Sequence, residues 1–329
     1  MTTKELERFA LEIRLKTVEC IKSRGFGHIG GSLSVCDVLA VLYGDIMNYD
    51  PKDPKKPDRD KFVSSKGHAG PAVYATLALK GFFPEEELMT LNQPGTNLPS
   101  HCDMNKTPGI DMTTGSLGQG TSEAVGLALG DKLLGRDCRT YLLVGDGEAN
   151  EGQVWEAAMF TAAKELTNLV WLIDWNKKQL DGPLDDILKP FDFEEKFRAF
   201  GFDACTIDGN DVAQVKEALS KKAGDRPIAI ILDTVKGKGA LGRPLPGPSP
   251  KPPPPLNQCW SPGKPPTRKP RTALQPNQCA RCRGFGHWKN ECPRIAGKNN
   301  WHWLFSGWLN WKLNRGAGAQ RHKVPKSPW

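Results

Sequence analysis

Apolar residues recur with two different periods along the first 240 residues of the chain. Helix-like intervals separate six apolar residues of the opening segment, which predicts a helix at the start: Leu6, Ala10, Ile13, Leu15, Val18 and Ile21. Strands that alternate with helices indicate an α/β fold with a doubly wound, mostly parallel sheet flanked by helices. Short apolar runs predict strands at 62–65, 141–144, 169–173, 203–207 and 228–232. Further helices are predicted at 34–43, 121–134, 155–166, 191–200 and 212–221.

Composition changes abruptly near Ala240. The residues beyond it hold 16 Lys and Arg against one acid, with 16 of the 27 prolines, whereas the residues before it carry a net charge of −7. The two parts therefore need separate interpretations. We predict a globular domain over 1–240, a Pro-rich linker over 241–276, a small metal-binding module over 277–295, and a basic, Trp-rich, disordered tail over 296–329.

The cellular location is predicted from two features that the N-terminal part lacks, a membrane span and a signal peptide. No stretch approaches the roughly 18 to 20 apolar residues of a membrane span. The first seven residues are too polar and too acidic for a signal peptide. We therefore expect a cytoplasmic protein without a membrane partner. Five cysteines without paired spacing also suit free thiols in a reducing compartment; they are Cys20, Cys36, Cys102, Cys138 and Cys205.

An aspartate and an asparagine each follow a predicted strand. Asp146 lies in a Gly-Asp-Gly turn after one strand, and Asn176 follows the next strand along the chain. Because the carboxyl ends of parallel strands meet at one edge of a sheet, both side chains are predicted at that edge. Mg²⁺ prefers oxygen ligands, and the backbone carbonyl of Lys178 could supply a third. The alternative is an ordinary turn that only reverses the chain.

Three histidines, His28, His68 and His101, lie in loops predicted to face the same edge. Imidazoles at a phosphate-bearing site can donate hydrogen bonds and transfer protons near neutral pH. A glycine-rich loop at 113–120 would let the backbone approach a ligand closely. Each histidine alone has a simpler interpretation as a solvated surface residue.

Five short segments carry a specific resemblance to a known family. They lie at 27–32, 65–70, 114–120, 145–147 and 233–239. In this order they resemble transketolase, and in particular the N-terminal subunit of the split, two-chain transketolases. The resemblance covers about residues 5–240. The run from 111 to 120 favours transketolase over deoxyxylulose-phosphate synthase and the E1 dehydrogenases, which share the Asp and Asn metal ligands.

The resemblance implies a domain that binds the diphosphate end of thiamin diphosphate (ThDP). Asp146, Asn176 and the Lys178 carbonyl would ligate Mg²⁺, and His28 and His101 match positions that face the donor sugar. The implied reaction transfers a two-carbon ketol unit between sugar phosphates, as in the pentose phosphate pathway. The other implied cofactor contacts are His68, which is also a candidate catalytic residue, and Gly115, Ser116, Leu117, Gly147 and Glu148.

The resemblance also implies a partner chain. The family's glutamate that activates the aminopyrimidine ring belongs to a pyrimidine-binding domain, so a separate C-terminal subunit is expected to supply it, in a hetero-oligomer built on a dimer. The chain alone is therefore expected to be inactive. Glu151 and Glu156 match acids at the subunit interface, where carboxylates form a proton path between paired active sites. Their simpler interpretation is a solvated first helical turn, favoured by the helix dipole.

A second motif lies beyond the Pro-rich segment. Its spacing, C-x2-C-x4-H-x4-C, gives the three thiolates and one imidazole of a structural Zn²⁺ site. The motif resembles the zinc knuckle of retroviral nucleocapsid proteins, and aromatic and basic neighbours predict binding of RNA or single-stranded DNA. The predicted ligands are Cys279, Cys282, His287 and Cys292.

Three interpretations of function follow. The first is that the chain is one subunit of a two-chain ThDP enzyme. More matched residues support this interpretation than support the others. The alternative is a nucleic-acid-binding protein that acts through the knuckle and the basic tail, with an inactive enzyme-like domain. The third is that a truncated enzyme chain is joined near Ala240 to an unrelated retroviral-like sequence.

Overall fold

A five-stranded parallel sheet organises the part of the chain that the structure describes. The computed structural model describes residues 1–240. The strands lie in the order β1-β2-β3-β5-β4, and every neighbouring pair is parallel. The predicted α/β class and parallel sheet are confirmed. The strands are β1 (Lys61–Ser64), β2 (Thr140–Gly145), β3 (Leu169–Trp175), β4 (Asp203–Asp208) and β5 (Ile228–Asp233).

Helix α1 (Thr3–Arg24) shows how the sequence sets helix boundaries. The backbone N–H of Glu5 donates to the Thr2 hydroxyl (3.4 Å), and the N–H of Thr2 donates to the Glu5 carboxylate (2.7 Å), which together form a capping box. The helix ends at Gly25, whose φ of 80° suits glycine. The other helices are α2 (Ile29–Leu33), α3 (Cys36–Val41), α4 (Gly70–Leu79), α5 (Gln119–Leu133), α6 (Gly152–Ala163), α7 (Leu184–Ile187), α8 (Phe193–Ala199) and α9 (Val212–Ser220).

Successive side chains of the sheet enter two different cores. Leu143 and Leu172 pack with residues of α1, α3, α4 and α9 on one face. Leu142 and Trp171 pack with residues of α5, α6 and α8 on the other. Strands that are buried on both faces need continuous apolar runs, which is why β2, β3 and β5 were recognisable in the sequence.

Helices α2, α4 and α7 were not predicted. Helix α4 has nine buried residues among ten, so it has no polar face and no helical periodicity to detect. Helix α2 falls in a segment that the sequence suggested was a loop. It contains Gly30 and Gly31, which favour helix poorly, but burial of Ser32 and Leu33 holds the turn in place.

The predicted linker, zinc module and tail lie outside the described residues, as do the four predicted zinc ligands. Within residues 1–240, no helix has the length and apolar character needed to cross a bilayer. The cysteines at 20, 36, 102, 138 and 205 are free thiols, as predicted.

Candidate functional site

Asp146 and Asn176 lie at the ends of neighbouring strands. Asp146 directly follows β2 and Asn176 directly follows β3, and the two strands pair in parallel. Both residues are buried. One carboxylate oxygen of Asp146 accepts the N–H of Gly147 (2.8 Å), and the other accepts the N–H of Lys177 (2.5 Å). Burial, together with the nearby charge of Asp174, raises the pKa of Asp146 to about 6.

The third predicted oxygen ligand contacts a lysine. The backbone N–H of Lys178 donates to Oδ1 of Asn176 (3.2 Å), which holds the following turn against the asparagine. The carbonyl of Lys178 accepts the Lys236 ammonium at 2.8 Å. Burial and the charge of Lys66 lower the pKa of Lys236. A cationic side chain therefore lies beside the proposed metal ligands.

A buried ion pair lies behind Asn176. The Lys66 ammonium donates to Oδ2 of Asp174, and the two side chains are 1% and 0% exposed. The same carboxylate accepts the Asn176 amide (2.9 Å) and the Ser34 hydroxyl (2.9 Å) at Oδ2 and the Thr234 hydroxyl (2.5 Å) at Oδ1. Burial alone would raise the pKa of Asp174. The charge of Lys66 and these hydrogen bonds outweigh burial and hold that pKa below its ordinary value.

The three predicted histidines lie together at this edge. The ring centroids of His28 and His68 are 5.4 Å apart, and those of His28 and His101 are 6.2 Å apart. Burial beside the Lys66 ammonium lowers the pKa of His68 to about 3. Desolvation and the charges of His101 and Lys236 lower the pKa of His28. His28 and His68 are therefore neutral at pH 7, and each can accept one hydrogen bond while donating another.

Glycines bring the loop at 113–120 against the loop that follows β1. A β-carbon on Gly67 would lie 2.8 Å from the α-carbon of Gly115 and 3.0 Å from the His101 ring. A β-carbon on Gly115, which has a φ of 143°, would lie 3.1 Å from the β-carbon of His101. Ser116 and Leu117 follow and are exposed to solvent beside this contact.

Glu148 points into the protein. One carboxylate oxygen accepts the Ser65 hydroxyl (2.5 Å) and the N–H of Gly118 (2.9 Å), and the other accepts the N–H of Gly145 (3.0 Å). Burial raises the pKa of Glu148, and the hydrogen bonds oppose that rise. The side chain thus ties the loop after β1 and the loop at 113–120 to the end of β2. Gly147, the other cofactor contact expected in this turn, is half-buried.

Glu151 and Glu156 are both exposed at the start of α6. Neither has a side-chain hydrogen bond or ion pair to another described residue, and Glu151 makes no capping contact with the helix. Their exposure suits a solvated first turn and equally suits contact with another chain, so their interface role stays a prediction.

Sequence reasoning assigned no role to Lys66, Asp174 or Lys236. A signal was present for Asp174, because it is the acidic position near the end of an otherwise apolar strand, where burial demands a partner. Nothing in the local sequence identifies Lys66 as that partner. Their pairing depends on the tertiary arrangement of β1 and β3, which are not adjacent in the sheet.

The side chains at this edge fit a magnesium diphosphate. Asp146, Asn176 and the Lys178 carbonyl offer the hard oxygen donors that Mg²⁺ prefers. The Lys236 ammonium adds positive charge for a phosphate group. Glycines at 67 and 115 let the two loops of this edge pack closely against each other and against His101.

Comparison with known proteins gives one consistent result. The family model described as "Transketolase, thiamine diphosphate binding domain" matches residues 6–244. A protein named 6-deoxy-6-sulfo-D-fructose transketolase subunit SqwG, from Clostridium sp. (strain MSTE9), is 52% identical over 238 residues, which are 72% of this chain and 86% of that protein. A protein from Actinobacillus succinogenes that is named as one of the subunits of apulose-4-phosphate transketolase is 41% identical over 237 residues, with coverages of 71% and 86%.

Solved transketolases are longer proteins of the same fold. The transketolase from Leishmania mexicana superposes with a TM-score of 0.69 and 30% identity, over 71% of this chain and 37% of that chain. The transketolase from Campylobacter jejuni gives the same TM-score and identity over 73% of this chain and 39% of that chain. The chain therefore spans little more than a third of the length of these solved enzymes.

Proposed function

The chain belongs to the family of transketolase thiamine diphosphate binding domains, and we propose that it binds ThDP with Mg²⁺ as the N-terminal subunit of a two-chain transketolase. It is a transketolase-like transferase, like the relatives that are named as transketolase subunits. The observation that carries the proposal is the placement of Asp146 and Asn176 at the ends of paired parallel strands. An acid and an amide at this edge are suitable ligands for Mg²⁺ on a diphosphate.

Each part of the site has a proposed task. When bound, ThDP supplies the carbanion chemistry that breaks and forms the carbon–carbon bond. Asp146, Asn176 and the Lys178 carbonyl hold Mg²⁺, and Gly115 and Gly147 let the backbone approach the cofactor. Neighbouring Ser116 and Leu117 line the cofactor. The Glu148 carboxylate supports the loops around the diphosphate.

The histidines act on protons and on the sugar. His28 and His101 face the donor sugar and hydrogen-bond its hydroxyl groups. His68 feels the charges of Lys66 and Lys236, and its low pKa keeps the ring neutral. Neutral imidazoles can relay a proton between a sugar hydroxyl and solvent without placing a second positive charge beside Lys66.

The proposed partner is a C-terminal subunit with a pyrimidine-binding domain. Relatives that are named as subunits match this chain over 86% of their own length, whereas this chain matches only 37% of a solved transketolase. We propose that the two chains assemble as a hetero-oligomer built on a dimer. Glu151 and Glu156 would then lie at an interface and carry protons between paired sites.

The proposed substrates are ketoses with an anionic group at the far end. Sugar phosphates of the pentose phosphate pathway are the first candidates. A 6-sulfonated ketose is the second, because the relative that is 52% identical is named for 6-deoxy-6-sulfo-D-fructose. Ketol transfer from each donor, measured with the complementary subunit present, would distinguish them by the ratio of kcat/KM values.

Cofactor binding is the first test. We expect the full-length chain to bind ThDP in calorimetry when Mg²⁺ is present, and to lose that binding in EDTA. Asp146→Ala should abolish it, because a carboxylate ligand is removed. Asp225→Ala, an exposed acid in the loop before β5, should bind as the wild type does. Equal binding by Asp146→Ala and the wild type would refute the proposed metal site.

Activity is the second test. We expect the chain to transfer no ketol unit alone and to become active when the complementary subunit is supplied with ThDP and Mg²⁺. Failure with the complementary subunit, on both phosphorylated and sulfonated donors, would refute the proposed reaction. Nucleic-acid binding through 277–295 involves residues outside the described part and stays a separate hypothesis, tested by zinc content and RNA binding of Cys282→Ser.

A further inference from the structure

The Lys66–Asp174 ion pair is almost completely buried, although neither residue is among the proposed cofactor contacts. The side chains are 1% and 0% exposed. The Lys66 ammonium donates to the carbonyl of Gly31 (2.9 Å) and the hydroxyl of Ser34 (3.2 Å) as well as to Asp174. All three ammonium hydrogens therefore have partners, and the pair is fully satisfied.

Stability alone does not explain such a pair. Removing two charges from water costs several kcal/mol per ion, and replacement of a buried pair by apolar side chains is often neutral or stabilising. A second pair, Lys61–Asp131, lies at the other end of β1 and is also nearly buried, with its Nζ and Oδ2 2.6 Å apart. Of these two pairs, only Lys66–Asp174 contacts a proposed metal ligand.

The contact with Asp174 determines which end of the Asn176 side-chain amide faces the proposed metal site. The side-chain nitrogen of Asn176 donates to Oδ2 of Asp174 at 2.9 Å. The amide oxygen points the other way and accepts the N–H of Lys178. An amide can rotate to exchange its oxygen and nitrogen, and only the oxygen can bind Mg²⁺. A carboxylate accepts hydrogen bonds and donates none, so it selects the nitrogen.

We propose that Asp174, neutralised by Lys66, is a positioning residue that turns the amide oxygen of Asn176 toward the metal site. The inference rests on the proposed function, because it assumes that Asn176 ligates Mg²⁺. Outer-shell groups that orient ligands typically change metal affinity by about 10- to 100-fold. Lys66 has a supporting role, because it allows a charged carboxylate to remain buried behind the ligand.

The test compares two apolar replacements of buried pairs in the full-length chain. Lys66→Met/Asp174→Leu removes the acceptor of the Asn176 amide, and Lys61→Met/Asp131→Leu makes the same substitutions at the distant pair. We measure Mg²⁺ affinity by calorimetry at saturating ThDP, and unfolding midpoints without metal. We expect at least tenfold weaker Mg²⁺ binding in the first variant and a change below twofold in the second, with both variants folded.

A third variant separates the loss of the Asn176 contact from the loss of another hydrogen bond to Asp174. Thr234→Val removes the hydrogen bond to Oδ1 of Asp174 but leaves the bond to Asn176, so it should keep wild-type Mg²⁺ affinity. The inference is overturned if Lys66→Met/Asp174→Leu binds Mg²⁺ within twofold of the wild type, or if the Lys61 and Asp131 variant loses as much affinity. A wild-type chain that binds no Mg²⁺ with ThDP, alone or with the complementary subunit, would refute the proposed function itself.

If Lys66→Met/Asp174→Leu does not fold, the orientation of the Asn176 amide can be measured directly. A neutron structure of the wild-type chain distinguishes the amide nitrogen of Asn176 from its oxygen through the deuterium atoms. Nitrogen facing Asp174 is expected. Oxygen facing Asp174 would overturn the inference whatever the metal affinity.

Discussion

Gly67 packs directly against the backbone of Gly115, and this contact joins two loops of the proposed cofactor site. A β-carbon on Gly67 would lie 2.8 Å from the α-carbon of Gly115 and 2.9 Å from its nitrogen. Backbone atoms cannot rotate aside as a flexible side chain can. The position of the loop at 113–120 therefore depends on the absence of a single methyl group next to His68.

We predict that Gly67→Ala weakens ThDP binding more than it destabilises the fold. The added methyl must push the loop at 113–120 outwards, and overpacking of this kind costs about 1–3 kcal/mol. Because Gly115 and the exposed residues after it are proposed cofactor contacts, calorimetry with Mg²⁺ should show at least a tenfold loss of ThDP affinity. The variant should still unfold cooperatively in urea.

Gly224→Ala is the matched control for this substitution. Gly224 lies between α9 and β5, has no positive φ, and a β-carbon there would meet no atom within 4 Å. Its ThDP affinity should stay within twofold of the wild type. Wild-type affinity in Gly67→Ala would show that the two loops do not need this close contact.

We predict that Glu148→Gln lowers stability. Three donors, from Ser65, Gly118 and Gly145, surround the two carboxylate oxygens. A glutamine amide would turn its NH₂ group toward at least one of these donors and leave it unsatisfied, which costs about 1–3 kcal/mol. Urea unfolding measures the loss. Glu217→Gln, at an exposed position on α9, should leave the midpoint unchanged, and an equal midpoint in Glu148→Gln would refute the predicted role of the buried carboxylate.

The sheet was predictable from sequence because its central strands are apolar without interruption. β2 and β3 are buried on both faces, so their runs stand out from the flanking polar turns. The placement of Asp146 and Asn176 at one edge of the sheet could be predicted from the geometry of parallel strands alone. Helix α4 could not be predicted, since burial on every side removes the periodicity that identifies a helix.

The contacts among the site residues were less predictable. Lys66 and Asp174 are 108 residues apart in the sequence, and strands β1 and β3 are separated by β2. No local pattern encodes a pairing of that kind. The direction of Glu148 was hidden for the same reason, because two of its donors, Ser65 and Gly118, lie 83 and 30 residues away in the sequence.

We predict that His68 makes stability depend on pH below 6.5. Burial beside Lys66 lowers the folded-state pKa of His68 from 6.5 to about 3. Between those values the unfolded chain binds a proton that the folded chain does not, so stability is present above pH 6.5 and falls as the pH is lowered. The slope from one such group reaches about 1.4 kcal/mol per pH unit.

His68→Gln should remove this part of the pH dependence. Urea unfolding at several pH values between 5 and 7.5 should give a shallower loss of stability in the variant than in the wild type. The imidazole signals of His68 in NMR spectra, assigned by their absence in the variant, should not titrate between pH 5 and 8. A titration near pH 6.5 would show that the ring is solvated.

We predict that Glu151 and Glu156 matter only in the assembled enzyme. Both are exposed in the single chain, so Glu151→Gln and Glu156→Gln should change its unfolding free energy by less than about 0.5 kcal/mol. With the complementary subunit, ThDP and Mg²⁺ present, each should lower kcat, because an amide cannot carry a proton between paired sites. Glu195→Gln, at an exposed position on α8, serves as the control and should keep full activity. Full activity in both test variants, with assembly unchanged in analytical ultracentrifugation, would mean that these carboxylates form only a solvated helical turn.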